Sequence, residues 1–147
     1  MSSVLYYAHG TARVSYRYHD DNNYIKLVRE FLKDVRWLVF AREQNGEPAV
    51  IAKIQCTSDS AMLRLSLNKD QQVVAEARSG VDEKTSYQSL GTCAPIDSKL
   101  PLHVGLMANG AAPDSTHYAF FSDFVHFYRV QGPEDPDKKK KKKGGGY

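Results

Sequence analysis

Six aromatic and arginine side chains carry the most specific candidate chemistry in this sequence: Arg17, Tyr24, Arg29, Arg36, Trp37 and Tyr87. We expect them on faces opposite the core. A flat aromatic ring can stack on the apolar C–H face of a sugar, and a planar guanidinium can donate hydrogen bonds to its hydroxyl groups. These residues are therefore predicted to bind a ligand. The alternative is that the aromatic residues belong to a sandwich core and the arginines to an ordinary exposed sheet face.

Three aspartates form a second, weaker candidate site, for a metal ion. Asp20 and Asp21 begin a turn, and Asp123 lies near the end of the chain. Calcium prefers clusters of oxygen ligands, so these carboxylates are candidate calcium ligands where a fold brings the two corners together. The favoured alternative is turn chemistry for Asp20 and Asp21 and a capping hydrogen bond for Asp123. No other cofactor is predicted.

The sequence lacks the common catalytic motifs. It has no GxSxG elbow, no phosphate-binding glycine loop, no EF-hand, and no HExxH among its five histidines. We therefore predict no catalytic residues and a protein that is not an enzyme.

The two cysteines, Cys56 and Cys93, allow two interpretations. Their wide separation excludes a CxxC redox motif or a zinc ribbon. They could form one disulfide in a secreted domain, or they could be two small buried thiols, which is the favoured alternative.

The segments that position these residues have the two-residue period of β-strands. Leu63, Leu65 and Leu67, for example, alternate with polar residues. Turn signals separate the apolar runs, among them Asp20-Asp21-Asn22-Asn23, Lys33-Asp34 and Asn45-Gly46. The pattern predicts about ten strands in two packed sheets, with an up-and-down barrel as the main alternative. The run from Phe124 to Val130 is apolar on both faces, so we expect that strand inside the sandwich rather than at an edge.

Charge and composition restrict the partners. The net charge of +3 in 147 residues includes the lysine run 138–143; without it, 14 basic and 17 acidic residues remain, a balance of −3. A domain that neutralises phosphates needs a basic patch of its own, so we predict no nucleic-acid binding by the folded domain. No apolar run approaches the roughly 20 residues of a membrane span, so none is predicted.

The last sixteen residues differ in kind from the rest. Residues 132–147 read GPEDPDKKKKKKGGGY. They are predicted to be a disordered tail, with a composition typical of an engineered tag. Residues 1–131 are predicted to form one β-sandwich domain. The first residues lack the features of a signal peptide, which leaves the localisation unknown.

Three stretches, in this order, carry a family resemblance: ARVSYRYHDDNNYIKLVRE; LRLSLNKDQQVVAEARSG with SYQSLG; and PLHVGLMAN with AFFSDF. They resemble concanavalin A-like and laminin-G-like domains, including those at the C-terminus of glycoside hydrolases, and the resemblance spans roughly Ala12 to Val130. Arg13 departs from the family's usual glycine, and Tyr87 from its usual tryptophan. The resemblance implies an all-β, two-sheet antiparallel jelly-roll sandwich and favours an extracellular protein. It also implies that the corners of Asp20, Asp21 and Asp123 lie near each other, where a structural calcium, as in some domains of this kind, is one interpretation.

These observations lead to three functional hypotheses. The first is a non-catalytic, lectin-like carbohydrate-binding or carbohydrate-associated module, of the kind that accompanies glycoside hydrolases. The second is a structural or protein-interaction sandwich that self-associates, because only Ser3 to His9 is available for the one or two strands that usually open the family's fold. A jelly-roll polysaccharide-degrading enzyme ranks third.

Overall fold

The computed structural model describes residues 3–9, 12–107 and 120–126. All regular secondary structure in this part of the chain is β-strand. The strands are β1 (Ser3–His9), β2 (Ala12–Asp20), β3 (Asn23–Leu32), β4 (Val35–Gln44), β5 (Glu47–Gln55), β6 (Ser60–Leu67), β7 (Val73–Ser79), β8 (Gln88–Cys93), β9 (His103–Met107) and β10 (Phe120–His126). A helix with the length and hydropathy needed to span a membrane does not occur in these residues.

The strands form two five-stranded sheets. Sheet A has the order β10-β1-β6-β7-β8, and sheet B has the order β5-β4-β3-β2-β9. All neighbouring strands are antiparallel. The predictions of an all-β fold and of two antiparallel sheets are confirmed.

The predicted turns lie where the sequence places them. Lys33 and Asp34 join β3 to β4 with φ angles of 51° and 62°, and Asn45 and Gly46 join β4 to β5 with φ angles of 54° and 76°. Positive φ at both central residues is the geometry of the two-residue hairpin turn that follows the natural twist of the strands. The β2–β3 and β4–β5 turns are also tied together, because the amide of Gly46 donates to the carbonyl of Asn22 at 3.0 Å.

A hydrophobic core lies between the two sheets. Sheet B contributes Ile25, Leu27, Leu38 and Phe40, and sheet A contributes Leu63, Leu65, Val73, Ala75, Ala77 and Leu90. Each strand supplies alternate residues, so the intervening residues of β3, β4, β6 and β7 lie on the outer faces. The two sheets therefore pack face to face, as in a β-sandwich.

The last strand corrects one expectation. β10 is the first strand of sheet A in spatial order and pairs with β1, whereas the apolar pattern predicted a position inside the sandwich. It also begins earlier than predicted, at Phe120, and residues 127–130 and 132–147 lie outside the described part of the chain. Apolar residues on both faces indicate burial of the strand, but they carry no information about which neighbour it pairs with. The interior position next to β6 belongs to β1.

Candidate functional site

Two of the six predicted ligand-binding residues, Tyr24 and Trp37, lie on the outer face of sheet B. On β3, Tyr24 alternates with the core residue Ile25, and on β4, Trp37 alternates with Leu38. Tyr24 lies opposite Glu43 and Trp37 lies opposite Glu30 in the register of the two strands. Both aromatic side chains are half-buried. The strand alternation therefore places both on the surface that faces away from the core.

The middle of this outer face is apolar and well covered. Val28, Val39 and Ala41 form a small cluster with exposed fractions of 0%, 4% and 6%, and Trp37 packs against it. Lys53 lies opposite Val39, and Lys26 lies opposite Ala41. Lysine stems commonly lie along apolar surface while the ammonium groups stay in water. Trp37 therefore packs against buried apolar side chains and is only partly exposed to solvent.

Two ammonium groups lie near the aromatic rings of this face. The Nζ atom of Lys53 is 4.6 Å from the centroid of the Trp37 ring, and that of Lys26 is 5.8 Å from the centroid of Tyr24. Both distances are within the range of cation–π attraction. The hydroxyl group of Tyr24 donates to Oε2 of Glu43 at 2.6 Å, which holds the far end of that ring. We call Tyr24, Lys26, Trp37, Glu43 and Lys53 the sheet B face.

The sheet B face is long. Trp37 lies six residues before Glu43 on β4, and Tyr24 lies opposite Glu43. At a rise of about 3.3 Å per residue, the two aromatic residues are roughly 20 Å apart along the strand. Such a surface suits an extended ligand that has apolar faces and polar edges.

Arg29 and Arg36 do not join this face. Arg29 is only 3% exposed and shares the inward alternation of Ile25 and Leu27, which corrects its predicted place on an exposed face. Its Nη2 donates to the carbonyl of Ser58 at 3.3 Å. Arg36 is exposed and forms an ion pair with Asp59 of the β5–β6 loop. The backbone of Arg17 lies on β2 opposite Ile25, and its side chain is outside the described part of the structure.

Tyr87 lies on the opposite side of the sandwich. Its ring centroid is 4.1 Å from Cζ of Arg64 and 5.1 Å from Cζ of Arg78, two residues of the outer face of sheet A. Burial of the ring raises the pKa of the Tyr87 hydroxyl, an effect that the nearby positive charges of Arg78 and Arg64 partly oppose. The five predicted residues whose side chains are described are therefore spread over the molecule rather than converging on one site.

The predicted metal ligands Asp20 and Asp21 make turn hydrogen bonds. Oδ1 of Asp20 accepts from the amide of Asn22 at 2.8 Å and from Nδ2 of Asn23 at 3.0 Å, and these bonds lower the pKa of Asp20. Oδ1 of Asp21 accepts from the hydroxyl of Tyr18 at 2.6 Å, which raises the pKa of Tyr18. These contacts agree with the alternative interpretation, in which Asp20 and Asp21 stabilise the turn by hydrogen bonds instead of binding calcium.

No group of three or more His, Cys, Asp or Glu residues in the described ranges could hold a metal ion. Asp123 lies on β10 of sheet A, whereas Asp20 ends β2 of sheet B. The side chain of Asp123 is not described.

The cysteines do not form a disulfide. Cys56 is a buried thiol whose sulfur accepts from the hydroxyl of Ser79 at 3.5 Å, and Cys93 is partly exposed. The structure therefore agrees with two thiols, although only Cys56 is fully buried.

The sequence prediction missed the polar partners of the aromatic residues: Lys26, Glu43 and Lys53 on sheet B, and Arg64, Glu76 and Arg78 on sheet A. Lys26 was within reach of sequence reasoning, because it lies two residues from Tyr24 on the same strand and therefore on the same face. The pairing of Lys53 with Trp37 depends on the register of β4 and β5, which shifts between Phe40 and Ala41.

Comparisons with protein-family models, curated proteins and solved structures gave no match. The concanavalin A-like resemblance therefore stays a prediction from the sequence.

Proposed function

We propose that this protein is a non-catalytic carbohydrate-binding module that holds a glycan on the sheet B face. The observation that carries the proposal is the placement of Tyr24 and Trp37 on one outer face, with lysine ammonium groups beside both rings. Sugars present an apolar C–H face and a polar rim of hydroxyl groups. The sheet B face offers aromatic rings for the first and charged donors and acceptors for the second.

Trp37 is the main platform in this proposal. Its packing against the cluster of Val28, Val39 and Ala41 restricts the ring before any ligand arrives. Binding then costs little side-chain entropy, because the platform is already in place. Lys53 is exposed, so its ammonium group can move from the ring to the edge of a stacked sugar and donate hydrogen bonds to hydroxyl groups there.

Tyr24 and Glu43 form the end of the site that lies away from Trp37 along the strands. Their 2.6 Å hydrogen bond fixes the orientation of the phenol, and the second oxygen of Glu43 can accept from a hydroxyl group of the ligand. The distance between Trp37 and Tyr24 favours an oligosaccharide over a single sugar.

We also propose that the fold is a jelly roll of the concanavalin A-like kind, in an extracellular accessory domain of a carbohydrate-active protein. Two five-stranded antiparallel sheets of matched size and the pairing of β1 with β10 support this assignment. A shared fold alone does not assign a ligand, so the binding proposal depends on the residues of the sheet B face.

A glycan array tests the binding proposal. The full-length chain is used with each lysine of 138–143 replaced by serine, because the lysine run would capture acidic glycans by charge alone. We expect a saturable, salt-tolerant hit that Trp37→Ala weakens by more than about tenfold, the usual effect of removing a central aromatic contact. Tyr87→Phe, on the opposite sheet, is the control and should leave that affinity unchanged.

Two outcomes would contradict glycan binding at this face. One is a silent array from a sample whose circular dichroism shows folded β-structure. The other is a hit that Trp37→Ala leaves unchanged while the variant stays folded.

Self-association is a second candidate function, and one observation favours it. β5 is the end strand of sheet B, and its Val50 is 65% exposed, the highest value among the large hydrophobic residues of the described chain. An end strand with an exposed apolar residue can pair with a second copy. Light scattering over a range of concentrations should then show a dimer that Val50→Lys dissociates. A constant monomeric mass would exclude this function.

A further inference from the structure

Two arginines share one aromatic ring on the outer face of sheet A. Arg64 on β6 and Arg78 on β7 have their guanidinium carbons 4.1 Å and 5.1 Å from the centroid of Tyr87. Glu76, directly opposite Arg64 in the β6–β7 register, accepts from Nε and Nη2 of Arg64, both at 2.7 Å. We call Arg64, Glu76, Arg78 and Tyr87 the sheet A cluster.

The charges of the sheet A cluster are not balanced. It contains two guanidinium groups and one carboxylate, and both 2.7 Å contacts to that carboxylate come from Arg64. Within the described residues, Arg78 has no carboxylate partner. Its Nη1 donates to the carbonyl of Thr85 at 3.3 Å, and its buried Nε has no acceptor in that part of the chain. Two like charges at one ring repel each other, and a further anion would relieve that repulsion.

The guanidinium groups of the cluster are held in place before any ligand binds. Stacking on the Tyr87 ring and the bonds to Glu76 and Thr85 restrict their orientation. The Nε and Nη2 atoms of Arg64 bond to Glu76, so Nη1 is the nitrogen of that guanidinium left for a ligand, and the side chain is 33% exposed. A planar guanidinium with an N–H group accessible to solvent is suited to bind an oxygen of a carboxylate, sulfate or phosphate.

We propose that the sheet A cluster binds a single oxyanion group, such as the sulfate or carboxylate of an acidic polysaccharide, between Arg64 and Arg78. The charge distribution favours one local anionic group over a dense polyanion. Residues 1–131 contain 14 basic and 14 acidic side chains, since six of the 20 basic residues and three of the 17 acidic residues follow them. This site lies on the opposite sheet from the sheet B face and does not depend on glycan binding there.

Calorimetric titration of the full-length protein, again with each lysine of 138–143 replaced by serine, tests the proposal. The probes are a sulfated dextran oligosaccharide, its unsulfated parent and inorganic sulfate. We expect binding of the sulfated oligosaccharide, weakened at least about tenfold by Arg78→Gln, as for the loss of a hydrogen-bonded charge. Arg36→Gln is the matched control, because Arg36 is also exposed and belongs to a different part of the surface. It should change the affinity little.

Two further variants separate the site from general effects of charge and folding. Tyr87→Phe keeps the ring and should bind like the parent, whereas Tyr87→Ala frees the arginines and should weaken binding. Competition by inorganic sulfate at concentrations similar to those of the oligosaccharide would assign the site to a free anion; competition only at far higher concentrations would assign it to a polymer-borne group.

The proposal is overturned if sulfated and unsulfated dextran bind equally well, or if neither binds. It is also overturned if Arg78→Gln and Arg36→Gln reduce the affinity to the same extent. Because Trp37→Ala leaves the sheet A cluster intact, it should not affect the sulfate-dependent binding. This result distinguishes the site from the proposed glycan site on sheet B.

Discussion

At the scale of single residues, Asp20 shows how a carboxylate stabilises a turn of this protein. Its Oδ1 accepts hydrogen bonds from the amide of Asn22 and the side chain of Asn23, and these lower its pKa from the ordinary value of 3.8. A carboxylate whose pKa is lower in the folded state stabilises that state fully above its unfolded pKa. The stabilisation is lost as the pH falls through the lower, folded pKa.

We therefore predict that Asp20→Asn makes the free energy of unfolding less dependent on pH in the acidic range. The asparagine keeps an oxygen that can accept from Asn22 but no longer titrates in this range. Urea unfolding between about pH 5 and pH 2 should show a smaller loss of unfolding free energy in the variant than in the parent. Asp97→Asn, at an exposed position outside the turn, is the control. Identical pH dependence of the parent and Asp20→Asn would contradict this role of the carboxylate.

At the scale of elements, the β4–β5 hairpin positions the sheet B face. Its turn has Gly46 at a φ of 76°, and the hairpin register places Lys53 opposite Val39, next to Trp37. A one-residue change of register would move alternate side chains to the other face. The turn residues thus fix the register that positions Lys53 near Trp37, several residues away along the strands.

Gly46→Ala tests this turn. A Cβ at position 46 would lie 3.6 Å from Oδ1 of Asn22, an ordinary contact, so the cost is the left-handed backbone rather than a clash. That conformation disfavours a residue with a Cβ by about 1–2 kcal/mol, and urea unfolding should show a loss of this size. Gly105→Ala is the matched control, because a Cβ there meets no atom within 4 Å. Equal unfolding free energies for the two variants would contradict the account of the turn.

At the scale of the whole molecule, the core between the sheets provides most of the stability. Phe40 is fully buried among residues of both sheets, so Phe40→Ala removes contacts that join them and leaves a cavity. We expect a loss of about 3–5 kcal/mol in the free energy of unfolding, measured with denaturant. Val81→Ala changes a residue that is 48% exposed and should have an effect within about 0.5 kcal/mol. A small effect of Phe40→Ala would mean that the sheets do not depend on this core.

Much of the fold could be read from local patterns. The alternation of Leu63 and Leu65 with polar residues predicted their burial, and Asn45-Gly46 predicted a hairpin turn. The candidate sites were harder to predict. Arg29 was predicted as a hydrogen-bond donor on a face opposite the core, but its position in the alternation with Ile25 and Leu27 makes it face inward. In this case strand geometry overrode residue type.

The sequence by itself determined the strands, the turns and the alternation of faces within each strand. These are local properties, because backbone sterics and the two-residue period act between near neighbours in the chain. Only the tertiary structure decided that β10 pairs with β1, that Trp37 meets Lys53, and that Tyr87 meets Arg64 and Arg78. Those contacts depend on strand order, on register and on the course of the loops, which are set by the packing of the whole molecule rather than by any single segment.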